Sequence, residues 1–208
     1  MRYGIITALI SSLIMTASAG LSEEGIFRRH GEMVFRPDST TLCIVTTSGD
    51  TLVFADTPFP EMRDNFDLYS VTSYFREQNY WVLEIQGYEL FEWLLLNGDN
   101  GREDIAISEP KLSPDGIRLL CRSADLEVGL AYKNGIQIWR IDEDSLALEF
   151  EDLDVPWEPY RVEWVSDSVI ILDKAYWDWS NYEVEFHPGR LELSSTGNWI
   201  PDDPDSWE

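Results

Sequence analysis

The stretch "KLSPDGIRLLCRSADLEVGLAYKNGIQIWRID", Lys111 to Asp142, decides how the chain reads. It opens on the turn chemistry of Ser113-Pro114-Asp115-Gly116. Pro114 favours the first central position of a turn, Asp115 can bond its own backbone, and Gly116 accepts a positive φ. The run Ile117 to Cys121 that follows is short and apolar, and "GIQIWRI" alternates side chains at period two. Two short strands bounded by turn residues form the unit.

The same grammar covers the chain after residue 32. "TTLCIVTT" ends at Ser48-Gly49-Asp50, and "TLVFAD" ends at "TPFPE". "NYWVLEIQGYELFEWLLLNGDNG" reads as two strands hinged near Gly87 and closed by a turn at residues 97–101. "LALEF", "SVIILDKAYW", "YEVEFHP" and "RLELSS" complete the series. Helical periodicity is weak, with one turn's worth in "PEMRDNFDLYS". Short strands at this spacing predict an all-β sandwich, barrel or propeller.

A repeat sharpens this expectation. "FRPDSTTLCIV", Phe35 to Val45, lies on "LSPDGIRLLCR", Leu112 to Arg122, with Pro37 on Pro114 and Asp38 on Asp115, an offset of 77 residues. That is about twice the roughly 40 residues of a four-stranded propeller blade. A weaker copy, "EWVSDSVIIL", puts Asp167 in the place of Asp115. The unit Lys111 to Asp142 resembles the Ser-Pro-Asp-Gly repeat of TolB-like and WD40-like β-propellers, although Ser39 replaces Gly in the first copy and Asp167 lacks the proline. The resemblance is to the repeat, since a TolB protein carries an additional α/β domain for which this chain has no room. It implies a β-propeller-like array of four-stranded units, about four blades, closed or partial, over residues 20–200. A two-sheet β-sandwich of the same hairpins is the alternative.

The N-terminus, "MRYGIITALISSLIMTASAG", has the layout of a secretory signal peptide over residues 1–19: Arg2, an apolar run from Ile5 to Met15, then Ala17-Ser18-Ala19. The run falls short of the roughly 20 residues of a spanning helix. The expected location is therefore periplasmic or extracellular, with no membrane span after cleavage. Residues 201–208, "PDDPDSWE", read as an acidic tail.

The chain has 208 residues with Lys+Arg 15 against Asp+Glu 39, a formal net charge of −24. Such a charge repels nucleic acid and anionic lipid and keeps the protein soluble. Lysine occurs only at Lys111, Lys133 and Lys174. The two cysteines, Cys43 and Cys121, sit in apolar runs as small buried hydrophobes, although an exported compartment permits a disulfide. In the repeat alignment Cys121 falls on Ile44, one position from Cys43. The sulfurs should then project to opposite sheet faces and stay unbonded.

Catalytic constellations are missing from the sequence. His30, beside Arg28-Arg29, reads as a solvated residue, and His187 precedes an expected turn at Pro188-Gly189. No zinc, nucleophile-elbow, P-loop or dinucleotide pattern occurs, so no metal, cofactor or catalytic residue is expected. "NGDNGRED" lacks the alternation of an EF-hand loop, and a hairpin turn explains its glycines. Glu183, Glu185 and Glu192 read as one outward strand face. The cluster "KAYWDWSNYEVEF" is the candidate binding surface, with Tyr176, Trp177, Trp179 and Tyr182 beside Asp178 and Asn181. Period-two alternation puts Trp177 and Trp179 on one face and Tyr176 on the other. These rings suit a peptide side chain or a flat sugar, and equally a core between sheets. The expected function is an exported, non-catalytic module recognising a protein or peptide partner. The alternative is a secreted carbohydrate-active enzyme or carbohydrate-binding protein using acidic and aromatic residues.

Cleavage is expected between Ala19 and Gly20. Intact-mass analysis of exported protein should give a chain beginning at Gly20, and a membrane-held species retaining Met1 would overturn this.

Overall fold

The computed structural model describes residues 22–57, 67–87, 91–124, 134–153, 155–178, 180–181 and 183–202. The signal segment and its cleavage site lie outside them, as does most of the acidic tail. The described chain is all-β apart from one helix, α1 (Glu23–His30).

The strands fall into four antiparallel sheets, each a meander in which a strand pairs with the next in sequence. The first sheet is β1 (Val34–Asp38), β2 (Thr41–Val45) and β3 (Thr51–Ala55). The second is β4 (Leu68–Phe75), β5 (Tyr80–Gln86), β6 (Phe91–Asn97) and β7 (Glu103–Ala106). The third holds β8 (Lys111–Leu112), β9 (Arg118–Ser123), β10 (Gly135–Ile141) and β11 (Leu146–Leu153). The fourth holds β12 (Glu158–Ser166), β13 (Val169–Asp178), β14 (Glu183–Leu193) and β15 (Trp199–Pro201). No helix among the described residues is long and apolar enough to cross a membrane.

Alternation along each strand sends side chains to two neighbours, and the sheets stack in chain order. Leu42 and Ile44 of the first sheet meet Trp81, Leu83, Leu94 and Leu96 of the second. Tyr80, Val82 and Leu95 on the other face of the second sheet meet Leu119 and Cys121 of the third. Leu120, Ile136 and Ile138 on the far face of the third then meet Val162, Ile170, Leu172 and Leu191 of the fourth. Among the described residues, no core cluster joins the first sheet to the fourth. Each of these side chains contributes about 1.5–3 kcal/mol by leaving water.

Polar bonds fix each seam. Arg36 bonds Asp56 at 3.0 Å and Glu23 at 3.3 Å, and Tyr69 N and Val71 N donate to those same carboxylates. One guanidinium thus ties α1 and the first sheet to β4. Between the third and fourth sheets Glu149 accepts from Arg118 Nε at 2.7 Å and from Trp199 Nε1 at 3.1 Å.

The aligned turns share a mechanism. Asp38 Oδ1 accepts from Thr40 N at 2.8 Å, and Asp115 Oδ1 accepts from Ile117 N at 3.0 Å. Gly116 has φ +72°, as its turn requires. The alignment does not carry through to side-chain direction. Leu42 and its counterpart Leu119 both point at the second sheet, from opposite sides of it. Cys43 and Cys121 are buried free thiols, as expected, but for a different reason. They belong to the first and third sheets, with the second between them.

Three local expectations need correction. Helix α1 was not visible as a period because it spans only 8 residues. Local chemistry sets it instead: Ser22 Oγ accepts from Gly25 N at 3.3 Å, with Glu23 and Glu24 in the first turn and Arg28, Arg29 and His30 in the last. Pro188-Gly189 is not a turn, because β14 runs through it in unbroken register with β13. Pro188 is tolerated where β14 has only β13 beside it, since β15 pairs only with residues 191–193. Gly189 makes room for Lys174, whose Cε lies 2.6 Å from where a Cβ would stand. Continuity also divides the glutamates: Glu183 and Glu185 share one face of β14, and Glu192 lies on the other.

Gly116→Val should cost on the order of 1–3 kcal/mol, because a β-branched residue would be held at positive φ. Its Cβ would also meet Gln78 Nε2, which donates to Gly116 O, at 2.6 Å. A thermal melt indistinguishable from the parent's would refute the strain.

Candidate functional site

A concavity opens where the second, third and fourth sheets meet. It encloses about 540 Å³, within the range of ligand-binding clefts. Strand β9 supplies its floor with Leu120, joined by Val162 of β12 and Ile107 of the β7–β8 connection. Phe91 and Trp93 of β6 form an aromatic wall. Phe91 is 41% exposed.

Polar groups converge on the same space. Arg122 follows Leu120 at period two, so it shares that residue's face. Its backbone N donates to Ser108 Oγ at 2.8 Å, and its Nη1 donates to Pro159 O at 2.8 Å across the seam to the fourth sheet. Lys111 pairs with Leu120 across the β8–β9 ladder and also lines the cleft, while its carbonyl accepts from Trp164 Nε1 at 3.2 Å. Glu109 is the one carboxylate among the described lining residues, and it accepts from Ser73 Oγ at 3.3 Å.

The other strand arginines have close carboxylate partners. Arg102, Arg140, Arg161 and Arg190 each pair with a carboxylate two residues further on: Asp104, Asp142, Glu163 and Glu192. That spacing places both charges on one strand face. The Arg140 and Arg161 contacts hold the Asp142 and Glu163 carboxyls below their ordinary range, chiefly by hydrogen bonding. Arg36 is paired with Glu23 of α1 and with Asp56, and Arg118 with Glu149 of its own sheet. Arg122 and Lys111 make no ion pair among the described residues. Ala124 and Ser113 occupy the positions where an acid would stand.

The aromatic cluster anticipated from the sequence divides. Tyr176 packs against the core between the third and fourth sheets and meets the His187 ring edge-on at 5.1 Å. Trp177 lies on the opposite face of β13, and its Nε1 donates to Glu158 at 2.9 Å. Trp179 and Tyr182 lie outside the described residues. Neither Tyr176 nor Trp177 lines the cleft. The cleft residues Phe91, Trp93, Lys111 and Arg122 were missed as a site because three sheets bring them together. A signal was nevertheless present, in that Lys111 and Arg122 lack the acid two residues ahead that marks Arg140, Arg161 and Arg190 in their strands.

Two other histidine and acidic features also resolve. His30 is half-buried, with its ring edge-on to Tyr74 at 5.0 Å and to Trp81 at 5.9 Å. Burial lowers its pKa, and Arg29 and Arg76 add to the effect. In "NGDNGRED" the side chains serve the turn, with Asn97 Oδ1 accepting from Asp99 N at 2.8 Å and from Asn100 N at 3.1 Å. Asp99 Oδ1 accepts from Asn79 Nδ2 at 2.8 Å. No protein-family model and no curated protein matches the chain.

Tyr176→Ala should lower stability by on the order of 2 kcal/mol through lost core packing. Trp177→Ala should lower it by about 1 kcal/mol, the worth of a hydrogen bond to a charged acceptor and some apolar area. Thermal melts decide between core and surface: unchanged melting of Trp177→Ala would mark that ring as a surface group.

Proposed function

We propose that the protein is an exported, non-catalytic binding module, built as a β-propeller-like array of about four units, that takes a protein or peptide partner in the cleft between its second, third and fourth sheets. The observation carrying this reading is the cleft itself: an apolar floor, an aromatic wall with an exposed ring, and a few polar groups fixed by the scaffold. The propeller reading draws support from four consecutive meander sheets stacked in chain order and from the matching aspartate turns at Asp38 and Asp115. It extends the Ser-Pro-Asp-Gly resemblance to the TolB-like and WD40-like repeat. Export follows from the N-terminal segment, not from the fold.

The cleft favours a binding role over a glycosidase role. A hydrolase of that kind needs two carboxylates flanking one bond, and the described lining residues include only Glu109.

The test replaces Phe91 by a photoreactive benzoylphenylalanine in the exporting cell. A control carries the same group at Ile171, on the outward face of the fourth sheet and 38% exposed. Irradiation should give a defined protein adduct from position 91 and none from position 171. Adducts from position 171 alone would move the binding surface off the cleft.

A further inference from the structure

We infer that the cleft receives its peptide through a carboxylate held by Arg122 and Lys111, an inference that rests on the cleft being the binding surface. The guanidinium of Arg122 is positioned before any partner arrives. Ser108 Oγ holds its backbone N, and Pro159 O holds its Nη1. Its Nε and Nη2 donate to no described residue, so a donor fork remains. That fork matches the two oxygens of a carboxylate. Lys111 adds a second positive charge from the adjacent strand, exposed and without an ion pair among the described residues.

The surrounding chain makes this choice informative. Acidic residues outnumber basic ones 39 to 15, and each other strand arginine described above has a carboxylate partner. Arg122 and Lys111 line one cleft with the single carboxylate of Glu109, and Lys111 also acts on Glu163 from beyond ion-pair distance, so one positive charge, centred on Arg122, remains for a group from outside. The same net charge of −24 disfavours a polyanion, whose many charges would meet repulsion beyond the cleft. A ligand with one negative charge fits. Glu109 narrows the class further, because it offers an acceptor that an inorganic anion has no donor to meet. A peptide supplies all three complements: a carboxylate for Arg122 and Lys111, an amide N–H for Glu109, and a side chain for Trp93 and Phe91.

The test is fluorescence-polarisation binding of the exported full chain to a library of N-acetylated tetrapeptides. Each member contains one aromatic residue and is made both as a free acid and as a C-terminal amide. Hydrogen bonds to charged groups predict that free acids bind about 10- to 100-fold more tightly than their amides. Arg122→Gln should abolish that preference, leaving the free acids no tighter than their amides. Lys111→Gln, at an exposed position that disturbs no seam, should reduce it several-fold. Equal binding of acids and amides, or a preference that survives both substitutions, overturns the carboxylate inference. The cleft reading then still stands if Trp93→Ala weakens both series. Displacement of the free acids by inorganic phosphate at matching concentration would overturn the peptide assignment in favour of a general anion site. If no member binds, the cleft reading fails, and the inference fails with it.

Discussion

Burial of β5 on both faces is the constraint on which the rest of the structure depends. Tyr80, Trp81, Val82 and Leu83 are all at most 1% exposed, which a sheet with one wet face does not permit. Trp81 and Leu83 need one neighbouring sheet, and Tyr80 and Val82 need another. The third sheet repeats the demand, with Leu119 and Cys121 on one face and Leu120 on the other. Two consecutive sheets with two apolar faces each force a stack of at least four, and the chain supplies exactly as many neighbours as its buried faces require, one sheet at each end. This is also the reason a two-sheet sandwich does not describe the molecule: in a sandwich each sheet buries a single face.

The strands and turns were legible in sequence because they depend on local chemistry. The aspartate turns at Asp38 and Asp115, the glycine at positive φ and the hairpin at residues 97–101 stand where the residue types put them. Facing was less legible. The alignment at an offset of 77 residues matches Leu42 with Leu119, yet the two side chains point opposite ways along the stack. The first sheet has three strands and the third has four, and the hairpin from Asp38 to Thr41 is tighter than that from Ser113 to Arg118. One residue of slippage reverses every side chain in a strand. The Pro188-Gly189 pair misled for a related reason. A glycine chosen to clear Lys174 looks the same in sequence as a glycine chosen to turn the chain.

The candidate cleft was illegible as a place and partly legible as a pattern. Its lining comes from β6, the β7–β8 connection, β8, β9 and β12, so no window of sequence contains it. The aromatic cluster near Trp177 drew attention because its rings are adjacent in sequence. Adjacency on a strand separates side chains to opposite faces, and Tyr176 duly joins a core while Trp177 bonds Glu158. Rings that share one surface come from neighbouring strands or at period two, and Phe91 and Trp93 share theirs at period two.

Charge placement links the scaffold to the cleft. A chain this acidic gains little from isolated surface ion pairs, each worth about 0.2–1 kcal/mol. The arginine–acid spacing of two residues therefore does more for local charge balance than for stability, keeping each cation's field short-ranged beside its own carboxylate. The consequence falls on the cations that lack such a carboxylate. Around Arg122 the field is not cancelled at its source, and the partly buried guanidinium sits where screening by solvent is weaker than at the rim. The ladder supports it on one side through Ile136, and the fourth sheet on the other through Pro159. A cation so placed is held by the scaffold itself, because the stack of sheets brings the face of β9 against β12.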